Sequence, residues 1–181
     1  MRRNDIAGFW IGVRVCVFLL CFGGLTLLHS NGQGLVSSLV AYWPLDGNLQ
    51  DARSNFHGRA VGGPIQYVSR DGGGGFGAAI ELVEGGSIEI TGGNENVLEL
   101  PNASMSISFW FRLDADDSER TLISKGVDES WRVSLSASGE VVFEYGTGMI
   151  MSGVLAAGVH HVVALVDKRE DEIRLPPEHL T

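Results

Sequence analysis

From Leu39 onward, the chain consists of short apolar or alternating runs that are separated by turn residues. The clearest run is Met105–Leu113, where every second residue is large and apolar and serine, tryptophan or arginine stands between. This two-residue period predicts a β-strand with one buried face. Leu39–Trp43 is continuously apolar, and it predicts a strand that is buried on both faces.

Further strands are predicted, in chain order, over residues 87–90, 131–135, 141–145 and 161–166. Gly139 lies in the short turn between the second and third of these, where a hairpin requires a positive φ. No window of eleven residues after position 35 keeps a capped helical period. The sequence therefore predicts an all-β domain of the sandwich or barrel type.

The first 32 residues have a different pattern. Arginines occupy positions 2, 3 and 14, and residues 15–28 then carry no charge. A basic start followed by such an apolar run is typical of a secretory signal peptide. The run is short for a membrane span, which needs about 20 apolar residues. We therefore expect an apolar N-terminal helix that directs export.

Two versions of this export segment remain open. Ser30 and Gly32 are small residues in the −3 and −1 positions of a signal peptide cleaved after Gly32. The alternative is an uncleaved membrane anchor over residues 6–28, although Arg14 would then lie inside the membrane. Either version leaves a linker at residues 33–38 and a domain at residues 39–181.

Charge and cysteine content narrow the function classes. The formal net charge is −9 at pH 7, so the chain lacks the basic face that binding to a phosphate backbone requires. Both cysteines, Cys16 and Cys21, lie in the apolar N-terminal run. The predicted domain therefore has neither a disulfide nor thiol chemistry.

A set of ordered motifs resembles laminin-G-like domains of the concanavalin A-like lectin/glucanase superfamily. The motifs occupy residues 42–48 (Tyr-Trp-Pro-Leu-Asp-Gly-Asn), Asp51, and residues 57–60, 76–80, 107–112, 122–126 and 160–163. The resemblance implies a jelly-roll sandwich of two antiparallel sheets, one of them concave. Family members continue beyond the hairpin that begins at Asp167, whereas Pro176 and Pro177 interrupt it here. We therefore expect a sandwich whose C-terminal strands are incomplete.

The superfamily includes glucanases, so a glycoside hydrolase is one candidate function. Such an enzyme needs two carboxylates that face one cleft. Glu140 and Glu144 have the spacing to share a face of a strand, but the central aspartate of the glucanase pattern Glu-x-Asp-x-Glu is absent. His160 and His161 are adjacent on a predicted strand and point to opposite faces, so they cannot chelate one ion. No catalytic residue is predicted.

Calcium is the one cofactor that the sequence suggests. Asp46, Asn48 and Asp51 place oxygen donors in a loop directly after a buried strand, and Ca²⁺ takes such ligands. Some relatives of the resembled family bind calcium at a comparable rim. The competing interpretation is that these side chains accept backbone N–H bonds within a turn, as Asp-Gly sequences do.

The sequence thus predicts an exported, non-catalytic binding or adhesion module for carbohydrate or an extracellular protein. It predicts no nucleic-acid partner and contact with a membrane only through the N-terminal segment, and it leaves the oligomeric state open. Two alternatives remain: a glucanase-like hydrolase, and a truncated structural domain without a ligand.

Overall fold

A computed structural model describes residues 9–11, 15–19, 39–69, 78–82, 86–92, 104–114, 119–125, 131–167 and 172–175. These residues contain fourteen β-strands and no helix. No described stretch therefore forms a helix of the length and apolarity that crossing a membrane requires. The all-β class predicted from the sequence is confirmed.

The strands are, in chain order, β1 (Phe9–Ile11), β2 (Val15–Leu19), β3 (Leu39–Trp43), β4 (His57–Val61), β5 (Ile65–Ser69), β6 (Ala78–Leu82), β7 (Ser87–Thr91), β8 (Met105–Leu113), β9 (Arg120–Lys125), β10 (Trp131–Leu135), β11 (Glu140–Tyr145), β12 (Gly148–Val154), β13 (Gly158–Asp167) and β14 (Glu172–Arg174). The two largest sheets have the orders β14-β13-β8-β2-β3 and β12-β11-β10-β9. The two smaller ones are β1-β6-β5 and β4-β7. Every pairing is antiparallel.

The longest pairing joins β8 to β13, which are in register from Met105 and Val166 at one end to Leu113 and Gly158 at the other. The alternation predicted for β8 is confirmed. Its apolar residues are at most 2% exposed, and they are Met105, Ile107, Phe109, Phe111 and Leu113. Trp110 and Arg112, which lie between them, are half-buried. The pleat therefore separates a core face of the sheet from an outward face.

One hydrophobic core joins the two largest sheets. Phe109 and Phe111 of β8 belong to the same buried cluster as Val133 of β10 and Phe143 of β11. Trp43 of β3 and Ile80 of β6 also contribute to this cluster. Two antiparallel sheets that share their inner faces in this way make a β-sandwich.

The hairpin between β10 and β11 forms where it was predicted. Gly139 has a φ of +82°, and its N–H donates to the Ser136 carbonyl at 3.0 Å. The Ser136 N–H in turn donates to the carbonyl of Glu140 at 2.8 Å. Glycine adopts this left-handed conformation without a Cβ penalty. The turn thus aligns the two strands in the register that buries Val133 beside Phe143.

β3 differs from its prediction in one respect. Ala41 and Trp43 are buried, whereas Val40 and Tyr42 are only half-buried. The expectation of burial on both faces was therefore wrong for this strand. β3 is the last strand of its sheet, and Val40 on its other face packs against the shared core but is only partly buried.

The predicted N-terminal helix is not confirmed. Phe9–Ile11 is strand β1, which pairs with β6, and Val15–Leu19 is strand β2, which lies between β3 and β8. The predicted cleavage position after Gly32 and the linker at 33–38 lie outside the described residues. An apolar run thus supplies an interior strand, because its backbone groups find partners on both sides.

The hairpin predicted from Asp167 is present. Asp167 pairs with Glu172, and Leu165 pairs with Arg174. β14 is the last strand of the five-stranded sheet on that side. Pro176 and Pro177 lie outside the described residues.

We predict that Phe143→Ala lowers the free energy of unfolding by about 3–5 kcal/mol, because it removes a fully buried ring from the shared core. Met149→Ala on the neighbouring strand β12 is the matched control, since that side chain is 61% exposed. Urea denaturation followed by tryptophan fluorescence measures both changes. Similar losses for the two variants would contradict the assignment of the core.

Candidate functional site

Two places in the fold are candidates for a functional site. The first is the loop of residues 44–56, which joins β3 to β4 and carries the three predicted calcium ligands. The second is the outward face of β8 and β13, where Trp110 and His161 lie.

Asp51 organises the loop. Its side chain is buried, with 5% exposure. One carboxylate oxygen accepts the N–H groups of Tyr42 at 2.9 Å and Arg53 at 2.8 Å, and the other accepts that of Phe56 at 3.2 Å. The Asp51 N–H donates to Nδ1 of His57 at 3.2 Å. Three backbone donors satisfy a carboxylate that would be costly to bury alone.

The same loop covers the outer edge of β3. The Ala52 N–H donates to the Tyr42 carbonyl at 2.8 Å, and the Ser54 hydroxyl donates to the Val40 carbonyl at 2.7 Å. The indole N–H of Trp43 donates to the Phe56 carbonyl at 2.6 Å. The loop therefore occupies the hydrogen-bonding positions that another strand would otherwise take on this side.

Asp46 and Asn48 also accept backbone N–H groups, but at different points. Asp46 accepts that of Ala78 at 2.9 Å, and Asn48 accepts that of Gln50 at 2.8 Å. Each of the three predicted ligands thus has a role in holding the chain. Among the residues that the structure describes, no group of three or more His, Cys, Asp or Glu side chains could hold a metal ion. Calcium binding at this loop stays a prediction.

The outward face of β8 and β13 carries a cluster of Ser108, Trp110 and His161, hereafter the Trp110 cluster. Trp110 and His161 are register partners, and their rings stack with centroids 4.6 Å apart and an interplanar angle of 22°. The Ser108 hydroxyl lies 2.8 Å from Nε2 of His161. The imidazole is thereby held against the indole on one side and by a hydrogen bond at its edge.

Further side chains surround the Trp110 cluster. Arg112 follows on the same face and forms an ion pair with Asp114, with a distance of 3.1 Å from Nε to Oδ1. Val159 is the register partner of Arg112 and is 56% exposed. The face therefore combines flat rings, hydroxyl and guanidinium groups and an apolar side chain.

His160 behaves as the strand geometry predicted. It points away from His161, into the core, and is 9% exposed. Its Nε2 lies 2.7 Å from the Ala156 carbonyl, and its ring lies 5.5 Å from that of Phe111 between centroids. The two histidines therefore occupy opposite faces of the sheet, as predicted.

Glu140 and Glu144, the two carboxylates considered as a catalytic pair of a glycoside hydrolase, lie on β11. Glu144 forms an ion pair with Arg132 at 2.5 Å, and the hydrogen bond from Arg132 to Glu144 raises the pKa of the arginine. Glu140 accepts the hydroxyl of Ser138 at 2.7 Å. Glu144 thus has its partner on the neighbouring strand β10, and Glu140 has its partner in the turn between β10 and β11.

Comparisons with protein-family models, with curated proteins and with solved structures found no match.

The sequence had placed Trp110 on the polar face of its strand, and that placement is confirmed. The stacking contact between Trp110 and His161 was not predicted, because these residues are 51 positions apart and meet only through the register of β8 and β13. The alternation of each strand was the available signal. The register between the two strands cannot be predicted from this alternation, and a shift of one residue would move His161 to the other face.

We predict that Asp51→Ala lowers the free energy of unfolding by about 2–4 kcal/mol, because it leaves buried N–H groups without an acceptor. The loss of stability should be equal in calcium and in chelator, because the Asp51 oxygens accept hydrogen bonds from backbone N–H groups. Asn48→Ala is the control, because its single hydrogen bond is exposed. A loss that appears only in calcium would identify Asp51 as a metal ligand instead.

Proposed function

We propose that this chain is an exported, non-catalytic carbohydrate-binding module. The proposal includes the laminin-G-like jelly-roll arrangement, of which the resemblance of the motifs is the support. The observation that carries the function is the Trp110 cluster on the outward face of the five-stranded sheet.

The cluster suits a sugar for three physical reasons. An indole offers a flat apolar surface on which the C–H face of a pyranose ring can lie. Stacking by His161 and the hydrogen bond to Ser108 fix the rings before a ligand arrives, which reduces the entropy lost on binding. Arg112 is placed next to the rings to hydrogen-bond hydroxyl or carboxylate groups.

Binding of an extracellular protein is the second outcome that we keep in view. The exposed Val159 beside the rings is the observation that favours it, because exposed apolar and aromatic side chains are common at protein interfaces. Calcium bound by Asp46, Asn48 and Asp51 is a third outcome, and it would compete with the backbone N–H groups for the oxygens of these side chains. Protein binding and calcium dependence are both tested together with glycan binding.

We predict that Trp110→Ala weakens glycan binding by about 30-fold or more, as truncation of a central aromatic anchor does. His161→Ala should weaken it less, since that variant removes the support of the platform and keeps the indole. A glycan array followed by calorimetry with soluble xylan, β-glucan and heparin, each with calcium and with chelator, provides the measurement. Tyr67→Ala is the control, because Tyr67 is an exposed aromatic on β5.

Three results would count against the proposal. Unchanged glycan affinity in Trp110→Ala would remove the cluster from the site. Binding to matrix proteins alone would favour the second outcome. Release of reducing sugar by the purified chain would support the alternative function, a glucanase-like hydrolase.

Export carries its own prediction. We expect the exported protein to begin at Gln33, because residues 1–32 have the charge and hydropathy pattern of a signal peptide. Intact-mass measurement under denaturing conditions determines the N-terminus. A chain that still begins near Met1 would favour the anchor over residues 6–28.

A further inference from the structure

β2 is an interior strand of the five-stranded sheet, between β8 and β3. It pairs with β3 on one side and with β8 on the other. The other edge of β3 is covered by the loop that Asp51 organises, and the other edge of β8 is paired with β13. The inner edges of β3 and β8 therefore depend on β2 for their hydrogen bonds.

The strand directions prevent β3 and β8 from simply replacing β2. β2 is antiparallel to both, so β3 and β8 run parallel to each other. With one strand between them they lie about 9–10 Å apart, which is two strand spacings. A chain without β2 would keep a gap of one strand's width, lined by unpaired N–H and C=O groups.

The register specifies what the gap accepts. Val17 is paired with Ala41 and Ile107, and both of these are 0% exposed. Leu19 is paired with Met105, which is 1% exposed. These positions belong to the core side of the sheet, where an unpaired charge would be very costly.

The neighbouring position belongs to the other side of the sheet. Cys16 is paired with Tyr42 and with Ser108, which are both half-buried. A polar residue is acceptable at this register position. The gap therefore calls for an extended strand with apolar residues at the positions of Val17 and Leu19, and it accepts a polar residue at the position of Cys16.

The connection to the rest of the chain is long. Nineteen residues separate Leu19 from Leu39, whereas two are enough to join antiparallel neighbours. A two-residue turn would fix the register of β2 through its own geometry, whereas a connection of this length does not. The strand contacts themselves must therefore hold β2, as they hold a bound peptide.

We propose that the gap between β3 and β8 is a peptide-binding site for an extended apolar strand, and that Val15–Leu19 is its built-in ligand. Recognition is by strand addition, with backbone hydrogen bonds to two edges and side-chain selection at alternate positions. The segment can be detached from the chain and rebound in trans. A chain that has lost residues 1–32 presents the empty gap to other peptides of this kind. The proposal is independent of carbohydrate binding.

The placement of β2 is tested first in the intact chain. Cys16 and Ser108 are register partners, so their Cα atoms lie about 4.5–5.5 Å apart, within the range of a disulfide. In a Cys21→Ala background, Ser108→Cys should form a disulfide with Cys16 on treatment with diamide. Val163→Cys is the matched control. Val163 lies on β13, where it is the register partner of Ser108, so β8 separates it from Cys16 on β2. Absence of the Cys16 disulfide, or equal disulfide formation in the control, overturns the proposal.

Binding in trans is tested with a protease site placed between β2 and β3. The chain is cut, and a fluorescent peptide of residues 9–19 is added in excess while anisotropy is recorded. We expect the peptide to bind and to exchange with the native segment. The Val17→Asp peptide should bind at least about 100-fold more weakly, since its charge falls opposite Ala41 and Ile107.

The Cys16→Asp peptide should bind within about tenfold of the original, because its charge lies on the other side of the sheet. Equal affinity of the two aspartate peptides, or no binding by the original one, overturns the proposal. Glycan affinity measured on the same cut chain keeps this result separate from that of the carbohydrate proposal.

Discussion

The pleat of β8 is the constraint on which the rest of the structure depends. Its apolar positions supply the centre of the core shared by the two largest sheets, and the positions between them supply Ser108 and Trp110. Because successive side chains of a strand point to opposite faces, nine residues contribute to the core and to the candidate site at once. The nine-pair register with β13 then determines that Trp110 meets His161 and not His160. Core and candidate site therefore depend on the same hydrogen-bond ladder.

The edges of this sheet explain two other features. Asp51 draws its loop along the outer edge of β3, so a carboxylate that the sequence offers as a cation ligand serves three backbone donors. On the inner edge, β2 satisfies both β3 and β8. In each case the need to pair buried N–H and C=O groups decides how a nearby segment is used. A polar loop meets that need on one side and an apolar strand on the other.

The N-terminal segment marks the limit of pattern analysis. An uncharged run over residues 15–28 is suited to a membrane, to an export pathway or to a protein interior, because all three replace water with an apolar environment. Periodicity cannot distinguish them where nearly every residue is apolar. What distinguishes Val15–Leu19 in the fold is the presence of two strand edges that lie 20 or more residues further along the chain.

The sequence by itself determined the all-β class, the strands with strict alternation, the Gly139 hairpin and the placement of His160 and His161 on opposite faces. Each of these follows from a period of two or from a local backbone preference, so neighbouring residues are sufficient to specify it. Only the tertiary structure decided which strands are neighbours, that Trp110 stacks on His161, that Asp51 faces backbone donors and that β2 lies inside the sheet. Those features depend on pairing between distant segments, and a shift of one residue in any pairing would reverse which face each side chain occupies.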